Sequence, residues 1–571
     1  MVMNRIISIA AAAMLLLTAS CEDFLDEKNL FDKSLDNYYK TPKDIQEALA
    51  GAYEPLYVED AVNDEFVASG LMSDIQLPGG GPDDMAAKNV ANFQDPGENT
   101  YKELWENTFK GVSRCNAIIF AAKDADFSAY FDSRAEAEAF KNKALGEAYF
   151  MRGFYYFRAA RFFGQMPIIT SPNGPFDVPR ASIDETYGQI ASDFKKAAEL
   201  LPNVPANTIP TSENGHTNRW VAKAYLARTY LHYTGYSTNI LKKAVDVITL
   251  PEGGTVTKDQ VIAELEDVRD HSTYALVSDF RNLWPYSYIN QQAGSVVLPW
   301  ANAQGLSWVG QDGFAPTVGT GNTEVMFALM SSYGAWENSS KYSNTSCLFF
   351  GIRGNSMIPY GEGWGWGTVH PKFYEDWPNA DPRKRGSVIE MGRADEGTDG
   401  YQANQGDHET GLFNKKYTSL QYNGAEGVKG MFWYIYRPGG DVDYMLWHMQ
   451  NYIYLRFADV LLMHSELTET ADGINAVRNR AGLTPVAYSL DNLKKERTWE
   501  FAFEGIRWFD LVRWGDVETS NNYYQVPANV VNSGVPGTYT TSYRPETKGL
   551  VSLPENEITL SNGKYTQNSG W

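Results

Sequence analysis

The sequence predicts a mainly α protein: a tetratricopeptide-like helical superhelix carrying a large, irregular, loop-rich subdomain with short strands. Three observations predict it. Apolar residues recur at helical spacing over long stretches towards both ends of the chain. On those stretches small residues stand beside large aromatics, as with Gly146, Ala148, Gly153, Ala159 and Ala160 next to Tyr149, Phe150, Tyr155 and Phe162, so small positions can seat rings from the next helix. Between Trp284 and Trp377, 94 residues hold 7 of the 15 Trp and 13 of the 49 Gly but only nine charged residues, which suits glycine-broken loops and short strands.

The elements follow in order. Arg5 supplies a positive start, and Ile6 to Thr18 is an uncharged apolar stretch of 13 residues, too short for a bilayer span and right for a signal segment. It ends in Leu17-Thr18-Ala19-Ser20-Cys21, which resembles a bacterial lipobox with Cys21 as the acylated first residue of the mature chain. An ordinary signal peptide cut near Ala19 is the alternative. Residues 1–20 are therefore read as removed, and the body as tethered, since several acyl chains on one residue anchor it stably.

Thr41-Pro42-Lys43-Asp44 opens a helix to about Tyr57, with Thr41 as N-cap and Ile45, Leu49, Ala52 and Leu56 as its apolar stripe. Further helices are predicted over Tyr101–Ala125, Ala135–Phe163, Glu185–Leu201, Arg219–Tyr233, Leu241–Leu250, Tyr454–Glu469, Gly473–Ala481 and Leu490–Trp514. Breakers such as Pro202, Pro205 and Gly235 separate them, which predicts paired antiparallel helices. The strict tetratricopeptide consensus is absent, so the superhelix is a degenerate one with long insertions. The expected organisation is an N-terminal helical region over 21–280, a loop-rich aromatic region over 281–450 and a C-terminal helical region over 451–571.

With 571 residues, 43% of them hydrophobic, the chain can bury a sizeable core without disulfides or a structural metal. A net charge of −21 without a compensating Lys/Arg run argues against nucleic acid as a partner. Apart from Cys21, the cysteines are Cys115 and Cys347, which fit no metal or redox motif and are expected to be buried thiols, a disulfide between them in an oxidising compartment being the alternative. The seven histidines make no metal-ligand spacing, and the chain holds neither a nucleophile elbow nor a phosphate-binding loop, so no cofactor is expected. Asp395-Glu396-Gly397-Thr398-Asp399-Gly400 misses most EF-hand ligands and reads as a solvated loop. On one helix, Arg497, Glu500, Glu504, Arg507, Asp510 and Arg513 would line a single side and pair along it. Carboxylates with such partners stay ionised, which speaks against a glycosidase acid among them.

Several stretches together resemble the SusD/RagB family of nutrient-binding outer-membrane lipoproteins of Bacteroidetes. They are Cys21-Glu22-Asp23-Phe24-Leu25-Asp26, Ala148–Phe157 with Phe163-Gly164-Gln165-Met166-Pro167, Ala222–Arg228, Leu455–Met463, Ile474–Leu483, Glu496-Arg497, Glu500–Leu511, and the ending Gln567-Asn568-Ser569-Gly570-Trp571. The resemblance implies a tetratricopeptide-like scaffold that docks on a SusC-like TonB-dependent transporter and delivers captured oligosaccharide or, in some members, peptide. It implies no catalysis. It also implies an outer-membrane, surface-exposed location through the lipid on Cys21, with Glu22 and Asp23 as the sorting signal, and makes Asp381-Pro382-Arg383 a structural turn. A secreted glycan hydrolase is the alternative, supported by aromatic and acidic content alone.

Two regions used by the family supply the expected ligand contacts. One is the loop from Ser73 to Asn92, with Asp74, Gln76 and Asn92 as partners for sugar hydroxyls. The other is the aromatic middle, with Trp300, Trp308, Trp336, Tyr360, Trp364 and Trp366 as platforms for the C–H faces of sugar rings. For any one ring the alternative is a place in a second small core.

Overall fold

The computed structural model describes residues 38–291 apart from 96 and 98, and residues 298–311, 321–332, 342–354, 357–424, 427–430 and 448–571. Cys21 and Trp336 lie outside the described residues.

Helix α1 (Pro42–Tyr53) begins as expected. Thr41 accepts from the Asp44 backbone N–H at 3.2 Å, and the Asp44 carboxylate accepts from the Thr41 N–H at 2.8 Å, a reciprocal cap that satisfies two otherwise orphaned donors. It stops at Tyr53, short of Tyr57, because Pro55 cannot continue a helical ladder. After α2 (Glu65–Met72) and α3 (Met85–Ala91) come the long helices α4 (Lys102–Lys123), α5 (Arg134–Phe163), α6 (Ile183–Leu200), α7 (Arg219–Asn239) and α8 (Lys258–His271), where from α4 each packs on the next.

Helix α5 is the spine. From Ala144 to Phe163 every residue except Tyr149 is buried, so it has neighbours all round. Small residues seat rings as the pattern implies: a Cβ added to Gly111 of α4 would stand 2.2 Å from the Tyr155 ring. Its three buried arginines each meet a carboxylate. Arg152 holds Asp193 through two bonds, at 2.9 and 2.6 Å, and Arg158 and Arg161 share the buried Glu65 of α2.

The C-terminal helices are α9 (Phe457–Thr468), α10 (Asp472–Arg480), α11 (Leu490–Glu500) and α12 (Arg507–Trp514), and α12 packs back on α2 and α7. Among the described residues every sheet is a two-stranded pair. Six strands matter here: β1 (Gln76–Gly79) pairs with β3 (Trp366–Val369), β2 (Val325–Leu329) with β4 (Tyr452–Arg456), and β5 (Ala528–Asn532) with β6 (Val535–Tyr539), all antiparallel. The chain is about half helical, with short strands only, and the fold class is the one expected. The largest apolar cluster runs from Ile45 to Leu553 and takes in Trp284, Trp300, Trp308 and Trp366 along with the helices.

Three sequence expectations are corrected. Leu241–Leu250 is not a helix: Lys242 has a positive φ, and the β-branched run Val247–Thr249 pairs with Thr255–Thr257 around a Gly253-Gly254 turn. Tyr454 to Arg456 is strand before it is helix. The stretch Leu490–Trp514 is two helices, broken where Phe503 and Gly505 take left-handed φ values of 65° and 71°. The break turns Glu504 inward to Lys416 and Arg456, and Arg507 towards Asp74, so the charges do not pair along one helix side; only Arg513–Asp510 does so. The periodicity reading omits α2, α3 and α8; α2 follows Asp64, α8 follows a Thr257–Gln260 reciprocal cap, and α3 with β1 occupies much of the stretch Ser73–Asn92 that reads as a loop.

Cys115 and Cys347 are buried free thiols, and burial pushes both well above the ordinary thiol range. Asp395 pairs with Arg385 and Arg393, and the buried Glu396 with Arg385 and Lys415, so this loop holds its carboxylates in ion pairs and is not merely solvated.

Candidate functional site

The pairing of β1 with β3 joins the two regions that the sequence singles out. Gln76 stands opposite Val369, Leu77 opposite Thr368 and Gly79 opposite Trp366, and the Gly80 N–H continues the ladder to the Gly365 carbonyl at 2.9 Å. Glycine is required at the crossing. Gly79 has φ +68°, and a Cβ there would fall 2.1 Å from the Gly365 oxygen.

Charged groups converge on this crossing. Arg353 Nη1 donates to Asp84 Oδ2 at 3.1 Å and to the Trp364 carbonyl at 3.2 Å, and its Nε donates to the Gln405 carbonyl at 3.1 Å. Lys88 on α3 donates to the Gly81 and Pro82 carbonyls and to Asp407 Oδ2 at 2.8 Å. Asn92 Nδ2 donates to the Tyr539 hydroxyl of β6 at 2.7 Å. The Tyr539 ring leans on His408, with centroids 4.0 Å apart. Together Met85, Lys88, Asn89, Asn92, Asp407 and Tyr539 border an open cavity of about 390 Å³.

Electrostatically the face is mixed. Burial pushes the His408 imidazole down to about 4, the nearby Asp407 opposing this, so the ring is neutral near pH 7. Its Nδ1 and the Trp366 Nε1 are buried without a hydrogen-bond partner among the described residues. Met85 stands more than half exposed at the rim. The arrangement can bind a neutral, hydroxyl-rich molecule: carboxylates and carbonyls accept, Arg353, Lys88 and the amides donate, and an indole offers a flat apolar surface.

The predicted contacts divide. Trp364 is the half-buried ring at the crossing, nearly perpendicular to the Phe349 ring with centres 4.9 Å apart. Asn92 is half-buried at the cavity. Trp366 and Gln76 belong to the crossing but lie beneath it, Trp366 at 4% exposure and Gln76 tied to the Gly367 carbonyl at 2.9 Å. Asp74 is buried elsewhere, held by Arg507 through bonds of 2.8 and 2.7 Å and by the Tyr523 N–H. Trp308 is buried against Tyr288 with its Nε1 on the Leu283 carbonyl, and Tyr360 donates to Glu396 at 2.7 Å from full burial. Trp300 is covered by cations, Lys415 and Arg385 lying 4.3 and 4.7 Å from its ring centre. In this structure Asp74, Trp300, Trp308 and Tyr360 have no face open to a ligand, because helices and charged partners distant in sequence cover them.

Sequence reasoning missed Asp84, Lys88, Arg353, Asp407, His408 and Tyr539. One signal was available: Arg353 is the one cation between Lys341 and Lys372, and such a group, once buried, needs a carboxylate partner.

Comparison with known proteins agrees with this fold. A family model described as "Starch-binding associating with outer membrane" matches residues 23–231, and the SusD family model matches residues 356–571. "SusD-like protein P2" of Formosa agariphila is 26% identical over 529 residues, 88% of this chain and 89% of the relative. Surface glycan-binding protein A from Bacteroides fluxus superposes with a TM-score of 0.68 at 22% identity, covering 93% of this chain and 100% of the other. The protein of that name from Bacteroides thetaiotaomicron, solved in complex with laminarihexaose, gives 0.66 at 20% identity over 92% of this chain and 99% of its own. At these identities the solved structures speak to the fold. The two SusD-type models between them take in more than half of the sequence, one at each end, and the chain belongs to the SusD/RagB family.

Proposed function

We propose that the protein is a non-catalytic, lipid-anchored surface protein that captures oligosaccharides on the β1–β3 face and passes them to a partner TonB-dependent outer-membrane transporter. The observation that carries the reading is the crossing itself, which sets a half-buried indole beside a ring of carboxylate, guanidinium, ammonium and amide groups. A sugar ring packs its C–H face on Trp364 while Asp84, Arg353, Lys88 and Asn92 meet its hydroxyls. The laminarihexaose complex of a protein with this fold, the outer-membrane description of the family and the lipobox-like end of the leader support it.

The test is calorimetric titration of protein lacking residues 1–21 with laminarihexaose and with starch oligosaccharides, followed by chromatography of the sugar. Binding with the sugar recovered intact is expected. Shorter products would replace the reading by a hydrolase, and binding of peptides alone would replace the ligand. For the anchor, Cys21→Ala is expected to move the full chain from the detergent phase to the aqueous phase; unchanged partitioning would refute lipidation there.

A further inference from the structure

A second cavity, of about 480 Å³, opens where the coil between α6 and α7 meets β2, and it shares no lining residue with the β1–β3 face. Its size is that of a small-molecule site. Leu201, Val204, Ile209, Phe327 and Met330 make its walls apolar. The coil closes tightly at Gly215, where an added Cβ would lie 2.4 Å from Met330 Cγ.

One wall carries a fixed polar group. His216 Nδ1 bonds to Glu147, a carboxylate 2% exposed that also accepts from the Tyr53 hydroxyl at 2.7 Å. Glu147 therefore keeps the proton on Nδ1 and fixes the ring, while Nε2 has no partner among the described residues. At the rim Lys143 pairs with Glu213 at 2.6 Å. Both cations lining the cavity are thus already paired with carboxylates, and Glu213 itself lines the cavity, so an anionic guest is disfavoured. Its walls are mainly aliphatic, with the Phe327 and Tyr274 rings among them. What fits is an uncharged molecule with an apolar body and one accepting oxygen.

We infer that this cavity is a second ligand site, for an uncharged aryl or acyl carbonyl compound whose oxygen accepts from His216 Nε2 and whose body lies against Ile209 and Met330. The charged groups facing His216 are Glu147 and Lys143 on α5 and Glu213 on its own coil, with Tyr53 on α1; the hydrogen bond that Nδ1–H donates to Glu147 raises its pKa above the ordinary imidazole value. When the ring loses its second proton at higher pH, Nδ1–H stays with Glu147 and Nε2 becomes an acceptor, so the carbonyl loses its donor.

Acetophenone and ethylbenzene, alike in shape but for the oxygen, serve as probes in NMR titrations of the chain lacking residues 1–21. At about pH 6 acetophenone is expected to bind about ten-fold more tightly, an advantage that shrinks as rising pH deprotonates the ring. Ile209→Trp, which fills the cavity, should abolish binding of both, and His216→Phe should remove the advantage while keeping ethylbenzene. Equal affinities at about pH 6, binding indifferent to Ile209→Trp, or no binding of either probe would overturn the inference. Should His216→Phe fail to fold, the two probes on the unsubstituted chain and the Ile209→Trp variant still decide it. None of these outcomes depends on whether the β1–β3 face binds sugar.

Discussion

At the foot of the C-terminal helices, Arg383, Arg456 and Arg480 share Glu324, Glu496, Glu500 and Glu504 with every side chain between 0 and 3% exposed. Across the β1–β3 face, Arg353 and Lys88 pair with Asp84 and Asp407 at exposures of 15 to 32%. The residue types are the same and the consequences opposite. In the buried hub each guanidinium is paired with at least two carboxylates, so losing one partner strands a charge away from water. On the face water screens each pair, which contributes little to stability and can exchange its partner for a ligand hydroxyl at small cost. Multiple pairing and burial mark a structural charge; partial exposure beside an open cavity marks one available for binding.

The strongest way to break this contrast is Glu500→Gln. Burial would raise the Glu500 carboxyl, but Arg480, Arg456 and Arg383 hold it well below the usual range, and the variant is expected to lose about 3–5 kcal/mol in denaturant unfolding. Sugar affinity of the folded fraction should stay unchanged. A loss under about 1 kcal/mol would mean that the hub is not what holds the C-terminal helices.

Tryptophans sharpen the same comparison. Trp308→Ala should cost about 3–5 kcal/mol, since it opens a cavity in the main core. Trp364→Ala removes a ring already partly in water and should cost about 1–2 kcal/mol while weakening sugar binding about ten-fold. Equal stability losses would make Trp364 another core residue and move the platform elsewhere.

Arg353→Ala is expected to change stability by at most about 1 kcal/mol and yet to lower sugar affinity. Normal affinity in that variant would remove Arg353 from the binding face.

The smallest effect is in pH. Burial would raise Asp459, yet Arg497 and Arg228 hold it well below its usual value, so its contribution is complete above about pH 4 and is lost only as pH falls further, through its folded value. His408 behaves differently. Its folded value of about 4 lies below the unfolded value of about 6.5, so the unfolded chain takes up the proton first and stability falls as pH drops from about 6.5 to about 4. Glu409 beside it, raised by burial, works in the opposite direction, so the expected outcome is a difference: Tm of His408→Phe should fall less over that window than Tm of the unsubstituted chain. Parallel curves would contradict the burial assigned to His408.

Part of the candidate face was legible from local pattern. The polar loop from Ser73 to Asn92 and the aromatic middle were both singled out, and Asn92 and Trp364 within them stand half-buried at the face. Asp84 and Asp407 were not legible, because nothing near a carboxylate in sequence says which cation will reach it; Arg353 and Lys88 do so only after β1 and β3 pair. The same ignorance misread Asp74, whose place in the polar loop suggested a ligand contact while Arg507 claimed both its oxygens.

By itself the sequence determined the helices whose caps, apolar spacing and breakers act within a few residues, α1 with its Thr41–Asp44 cap and α5 with its small and aromatic positions, and the short strands of the glycine-rich middle. Tertiary structure alone decided which of the chemically identical tryptophans reach water, where Leu490–Trp514 breaks, and which charges are buried in pairs. The reason is range. A helix is specified by contacts three and four residues away, whereas the exposure of Trp300 or Trp308 and the partners of Arg456 are set by groups that only the completed fold brings within a few ångströms.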